Sequence, residues 1–300
     1  MAASPHLALA PFPSPLSPTT SEERVEAALG RALESAGPGA TPPRLARALR
    51  HAVLSGGGRL RPQLVLVVAA AHGDPRPEVT DACAAAVELI HCASLVHDDM
   101  PCFDDAELRR GLPSVHRAFG EAMALLVGDA LIVLAFRELG RAAALAPELA
   151  GPLLSALTEA SGPSGGIVGG QAWELETAAP LEEYHRAKTA SLFTAAAALG
   201  AIASGGDGGG WSRFGDAVGR AYQAADDVRD AAGSAAALGK PVGRDAALGR
   251  PSLVAVRGLD GARARVRELV ALARRRVPSA CRAEVVDAWI DRVAAALDRV

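Results

Sequence analysis

The chain holds 300 residues, 50% of them hydrophobic but only 4% aromatic, and its formal charge is −3. That is enough apolar material for one sizeable core, and the bias towards Ala, Leu, Val and Arg favours close-packed helices over a sandwich of short strands. An all-α fold is therefore expected, and the weak net charge excludes general nucleic-acid binding.

Residues 1–20 are rich in Pro, Ser and Ala without periodicity and read as a flexible leader, with the working domain at 21–300. Ser21 followed by two glutamates opens the first helix, residues 37–43 close it, and residues 45–53 begin the next. Helical segments follow at 62–71, 79–97, 121–144, 152–161, 181–203, 211–231, 262–276 and 283–299, separated by Gly and Pro breaks. The best apolar run, 64–71, is far short of the roughly 20 residues that span a bilayer, and the N-terminus lacks a basic signal region, so no stable membrane insertion is expected. Cys83, Cys92, Cys102 and Cys281 lack CxxC spacing and read as reduced thiols of a cytoplasmic protein.

Two aspartate clusters stand out, Asp98-Asp99 with Asp104-Asp105, and Asp226-Asp227 with Asp230, each ending an apolar helical stretch. So many carboxylates repel one another unless cations neutralise them, and hard oxygen donors with few His or Cys favour Mg²⁺ completed by water and a substrate phosphate. Asp226 and Asp230, four residues apart, share one helix face. Asp98 and Asp104 do not align on an ideal helix, but Pro101 between them breaks the helix and lets the second carboxylate swing back. Taken singly, each cluster also fits a solvated helix end. The pair, placed alike, points to two helices of one bundle facing a shared site. Three basic groups accompany them: Arg59 and Arg61 after the Gly56–Gly58 turn, Arg109-Arg110 just past the first cluster, and Lys240, Arg244 and Arg250 after the second. Each suits an anion at a helix start or loop, and each alone also fits an ordinary surface.

These segments together resemble the trans-isoprenyl diphosphate synthases, across almost all of 21–300. The resemblance rests on GGGRLRP (56–62), ELIHCASLVHDDMPCFDDAELRRGLPSVH (88–116), GDAL (128–131), GGQAWELE (169–176), YHRAKTASLF (184–193), AYQAADDVRD (221–230) and GKPVGRD (239–245), in that order. Within the family it is most similar to geranylgeranyl diphosphate synthases of bacterial carotenoid and photosynthetic pigment pathways. The resemblance implies a helical bundle around a central cavity, a homodimer, and about three Mg²⁺ ions holding an allylic diphosphate. It places Asp98, Asp104 and Asp226 at the metals, with Asp99, Asp227 and Asp230 supporting. It places Arg109, Lys188 and Lys240 on the allylic diphosphate, and Arg61, His91 and Arg110 on isopentenyl diphosphate. Lys188, Thr189 and Gln223 then serve the catalytic step, the last two by turning oxygen dipoles to an allylic cation.

The chain departs from the family pattern where Gly58 replaces a lysine, a loss that Arg59 is positioned to offset, and where Glu174 and Arg244 replace aspartate and lysine. Five residues before Asp98, where an aromatic limits relatives to fifteen carbons, stand Ala93 and then Ser94. Small residues there favour a deeper floor and a twenty-carbon product, or serve only tight helix packing. A farnesyl diphosphate synthase and a non-catalytic subunit of a heteromeric synthase are the alternatives.

Overall fold

The computed structural model describes residues 18–34, 41–232, 251–279 and 281–297. Lys240, Arg244, Arg250 and most of the predicted leader lie outside the described residues, as does most of the 37–43 break. The all-α expectation holds. Thirteen α-helices are described: α1 (Pro18–Glu34), α2 (Pro43–Leu54), α3 (Leu60–Ala71), α4 (Pro77–Asp98), α5 (Val115–Phe119), α6 (Glu121–Leu145), α7 (Ala150–Ser161), α8 (Ile167–Trp173), α9 (Leu181–His185), α10 (Ser191–Ala203), α11 (Gly208–Ala232), α12 (Leu253–Arg275) and α13 (Ala283–Leu297). The only sheet among the described residues is a two-stranded hairpin, β1 (Leu108–Arg109) against β2 (Leu112–Pro113).

Helices α3, α4 and α10 are apolar on nearly every side and form the centre of the molecule. By length and composition α4 could cross a membrane, a feature the sequence reading overlooked when it singled out 64–71, yet 83% of its apolar window is buried inside the protein. Helix α11 reaches this core through small residues. A Cβ on Gly215 would meet the Phe193 carbonyl oxygen at 2.4 Å, and one on Gly219 would meet the Ala190 Cα at 2.5 Å. These two glycines, one turn apart, bring the α11 backbone against α10, which is how the second aspartate cluster is set close to the rest of the site.

Several boundaries differ from the sequence expectation. Helix α1 starts at Pro18 and so takes up the last three residues of the presumed leader. Helical structure resumes at Leu253 rather than 262, because the Ser252 hydroxyl caps a short first helix; Gly258, in a non-helical conformation (φ 68°, ψ 170°), separates it from the longer one that runs on to Arg275, and α12 denotes the two together. The expected helix at 181–203 is interrupted by a π-helical turn, Arg186–Ala190, between α9 and α10. Helices α5 and α8 and the hairpin were not anticipated.

Candidate active site

The first cluster is made by a helix that runs out. Helix α4 ends at Asp98, and the chain then turns back on itself through Pro101, so that the Asp104 amide donates to the Asp98 carbonyl at 2.9 Å and the Ala106 amide to that of Asp99 at 3.1 Å. The predicted swing around Pro101 is thus present, fixed by main-chain bonds. Asp98 is buried, accepts a hydrogen bond from Gln171 Nε2 at 2.9 Å, and lies 3.6 Å from Lys188 Nζ. The same Gln171 nitrogen donates to the Ser94 carbonyl, tying α8 to the last turns of α4.

Beyond this loop, the hairpin turns through Arg110 (φ 53°) and Gly111 (φ 78°), both left-handed as a two-residue connection requires. The turn sends the neighbouring arginines to different partners. Arg109 grips Asp99 through Nε and Nη2. Burial holds the Asp99 carboxyl above its usual range although Arg109 pulls it down, and the Asp99 contact in turn raises Arg109 against its own burial. Arg110 packs on the Gly56–Gly58 turn so closely that a Cβ on Gly57 would lie 2.7 Å from its Cζ, and its Nη2 is 4.0 Å from Glu88 Oε1.

Arg59 requires a correction. Its guanidinium turns inward, donating to Glu26 at 2.7 Å, Glu88 at 2.8 Å and the Val53 carbonyl at 2.7 Å, so it does not replace the cation missing at Gly58. Arg61 is different. It stacks 4.7 Å from the Phe193 ring centroid and 6.0 Å from that of Tyr222, with Nη1 3.4 Å from His91 Nε2. Burial lowers its pKa, although Tyr222, Glu88 and Asp226 favour the charge. Burial and four arginines push His91 well below its ordinary value and keep it neutral. Arg61 Nε and Arg110 Nη1 are buried with no hydrogen-bond partner among the described residues. Buried cationic donors left open in this way suit an anion with several oxygens.

The π turn joins the two clusters. It carries Lys188, which also pairs with Glu174, and Thr189, whose hydroxyl donates to Gln223 Oε1. Glu174 in addition accepts from the Tyr184 hydroxyl at 2.7 Å. A Cβ on Gly170 would meet the Lys188 amide nitrogen at 2.3 Å, so the glycine pair of α8 is what lets Gln171 and Lys188 approach Asp98 together. Gln223 continues to Asp227, and one residue away Asp226 is 45% exposed and pairs with Arg229, which lies 5.3 Å from the Tyr222 ring centroid. Asp226, and then burial, raise the Tyr222 phenol. Asp230 is buried one turn further along α11.

The structure therefore brings Asp98, Asp99, Asp104, Arg61, His91, Arg109, Arg110, Lys188, Thr189, Gln223 and Asp226 into one connected region, turns Arg59 away, and gives both oxygens of Asp227 to protein donors. Sequence reasoning missed Glu88, Gln171, Tyr184 and Tyr222. Glu88 carried a signal, an acid inside an apolar helix that demands a buried partner. Three further histidines pack around these segments. His97 fits against Gly128, His116 bonds Ser114 at 3.0 Å and lies 3.4 Å from Asp105, and His185 lies 3.4 Å from Asp227.

Among the described residues no three His, Cys, Asp or Glu side chains are gathered closely enough to hold an ion unaided. This donor set still fits Mg²⁺, which takes one or two carboxylates and completes its octahedron with water and phosphate oxygens. Asp98, Asp99 and Asp226 are each countered by a protein cation, Lys188, Arg109 and Arg229 in turn, as an uncompensated cluster of carboxylates must be.

The polyprenyl synthetase family model matches residues 42–288. The chain is 48% identical over 276 residues to the geranylgeranyl diphosphate synthase of Cereibacter sphaeroides, covering 91% of this chain and 96% of that protein. It is 42% identical over 236 residues to the farnesyl diphosphate synthase of Escherichia coli, covering 74% and 78%. A Helicobacter pylori geranyltransferase solved with magnesium and isoprenyl diphosphate superposes with a TM-score of 0.77 at 28% identity, covering 96% of this chain and 98% of that one.

Proposed function

The chain belongs to the polyprenyl synthetase family, and from that membership we propose that it joins isopentenyl diphosphate to an allylic diphosphate, farnesyl or shorter, and releases geranylgeranyl diphosphate. It is a short-chain trans-prenyltransferase. The observation that carries the substrate reading is the pair of buried guanidinium donors without partners, Arg61 Nε and Arg110 Nη1, in one region with carboxylates from two helices.

Asp98, Asp104 and Asp226 hold Mg²⁺, which when bound neutralises the allylic diphosphate and stabilises it as a leaving group. Lys188, Arg109 and Lys240 bind the oxygens of the same diphosphate, with Lys188 released from Glu174 and Asp98 as the charge of the ligand arrives. Arg61, Arg110 and neutral His91 hold isopentenyl diphosphate. Because His91 is neutral it serves as a hydrogen-bond partner and brings no charge to the second anion. Thr189 and Gln223 turn their oxygens to the allylic cation, and the buried surroundings keep water from quenching it. The double bond of isopentenyl diphosphate attacks the cation, and the proton lost goes to the departed diphosphate.

We further propose a homodimer formed across α6 and α7, supported by the exposed apolar side chains Leu125, Leu126, Val133 and Leu154. A cytoplasmic setting is supported by four free cysteines, and a pigment pathway downstream by the motif resemblance of segments 88–116 and 169–176.

The test is to incubate the purified chain with Mg²⁺, isopentenyl diphosphate and each primer, and to size the dephosphorylated products by mass spectrometry. A twenty-carbon alcohol is expected, and no Mg²⁺-dependent product would sink the reaction in favour of a partner-dependent subunit. Ala93 is 2% exposed on α4. Ala93→Tyr should shift the product to fifteen carbons, and an unchanged profile removes Ala93 as the floor.

A further inference from the structure

We infer that Asp227 is a positioning residue and not a metal ligand: it fixes which way the Gln223 amide faces, and so which atoms Gln223 and Thr189 present to the reacting carbons. The inference rests on the prenyl-transfer reading above for its catalytic consequence, and on geometry alone for the orientation.

Asp226 and Asp227 are neighbours on α11, about 100° apart around the helix, and their surroundings are opposite. The Asp226 side chain is 45% exposed, whereas that of Asp227 is 2% exposed. Asp227 Oδ1 accepts from Gln223 Nε2 at 2.9 Å. Its Oδ2 accepts from the backbone N–H of Leu253, the first residue of α12, at 2.6 Å, and lies 3.4 Å from His185 Nε2. Both oxygens therefore have protein partners before any ion arrives.

An ionised carboxylate only accepts, so the atom of Gln223 that faces Asp227 must be its NH2 group. The amide oxygen then has to face the other way, where it accepts the Thr189 hydroxyl proton. With that proton committed, Thr189 offers only lone pairs. A carboxylate one turn along α11 thus sets the polarity of two oxygens on the far side of the amide. It also pins the start of α12 to α11, so the chain returning at Leu253 and the orientation of Gln223 depend on one side chain.

Asp227→Asn separates these roles, because asparagine has nearly the same shape but one acceptor and one donor. The Leu253 N–H cannot move off its helix and takes the asparagine oxygen, leaving the new NH2 group facing Gln223. Gln223 must then invert, bringing its own NH2 group to Thr189 and a positive dipole end to where an oxygen had been.

The experiment compares Asp227→Asn with Asp226→Asn in the full chain, reading kcat, both KM values, the Mg²⁺ concentration at half-saturation, the melting temperature, and the side-chain NH2 signals of Gln223 in ¹⁵N-labelled protein. Asp227→Asn is expected to lower kcat about 100- to 1,000-fold, the range for losing one preorganised dipole, with both KM values and the Mg²⁺ half-saturation within about twofold. It should shift the Gln223 NH2 signals and should cost little further in a Gln223→Ala background. Asp226→Asn should instead raise the Mg²⁺ requirement. A Mg²⁺ half-saturation that rises as much for Asp227→Asn as for Asp226→Asn overturns the assignment, and so does a kcat within twofold of the parent. If the parent chain makes no prenyl product, the reaction reading fails on its own, and unshifted Gln223 NH2 signals in Asp227→Asn would still overturn the orientation.

Discussion

The first aspartate cluster sits where a buried helix runs out, whereas the second lies along the side of a helix that continues to Ala232. Asp98 and Asp99 are buried and held by Gln171, Lys188 and Arg109, and the return to Asp104 is fixed by main-chain bonds. Asp226 owes its place to helix periodicity and its charge balance to a nearby arginine on the same helix. The first cluster is set by packing and costs stability when disturbed, whereas Asp226, half-exposed and paired within its own helix, is set by local sequence and is cheap to change, unlike its buried neighbour Asp227. The largest test of that contrast is Asp98→Ala against Asp226→Ala. Both should lower kcat by about 100-fold or more, since each removes a metal-holding carboxylate. Only Asp98→Ala should also destabilise the fold, by about 1–3 kcal/mol, because it leaves Gln171 with an unmet donor. Asp226→Ala should stay within about 0.5 kcal/mol in urea titration, as expected for a half-exposed pair. Equal stability losses would break the contrast.

A second pair sharpens it within the first half. Arg59 and Arg61 are two residues apart, yet one is spent on Glu26, Glu88 and Val53 while the other stacks on Phe193 with an unpartnered Nε. Arg59→Ala leaves the buried Glu88 with only the longer contact to Arg110 at 4.0 Å and should cost about 3 kcal/mol. Arg61→Ala should leave the melting temperature nearly unchanged and raise the KM for isopentenyl diphosphate. Steady-state kinetics beside calorimetry separates them, and a KM effect at Arg59 with no loss of stability would restore it to the binding site.

That pair also shows what could be read in advance. The helices were legible from apolar periodicity and Gly/Pro breaks, and the residues of both clusters from the order of their motifs. The inward turn of Arg59 was not, since it depends on acids supplied by α1 and α4 from 33 and 29 residues away. The π turn was hidden because 181–203 is uniformly helical in composition, and the extra residue it accommodates is visible only against Gly170 of α8. The hairpin had a signal in Arg110-Gly111 between two leucines, too short to stand out. The early start of α12 was masked by Gly258, which breaks the helical run and leaves only a short first piece ahead of it.

The smallest effect expected is a difference in thiol reactivity across the first cluster. Cys102 is exposed in the loop between Asp99 and Asp104, and Cys92 is buried on α4 less than two turns before Asp98. Burial pushes the Cys92 thiol up to about 11 and Cys83 up to about 12, so near pH 8 each is a thiolate only about one part in a thousand or less. A raised thiol pKa means the proton is retained until the solution is strongly alkaline, and access is denied besides. Alkylation at pH 8 followed by peptide mass mapping should therefore label Cys102 within minutes and leave Cys83 and Cys92 unmodified until denaturant is added. If Cys92 reacts as fast as Cys102, the end of α4 is not packed, and the rigidity credited to the first cluster fails at its source.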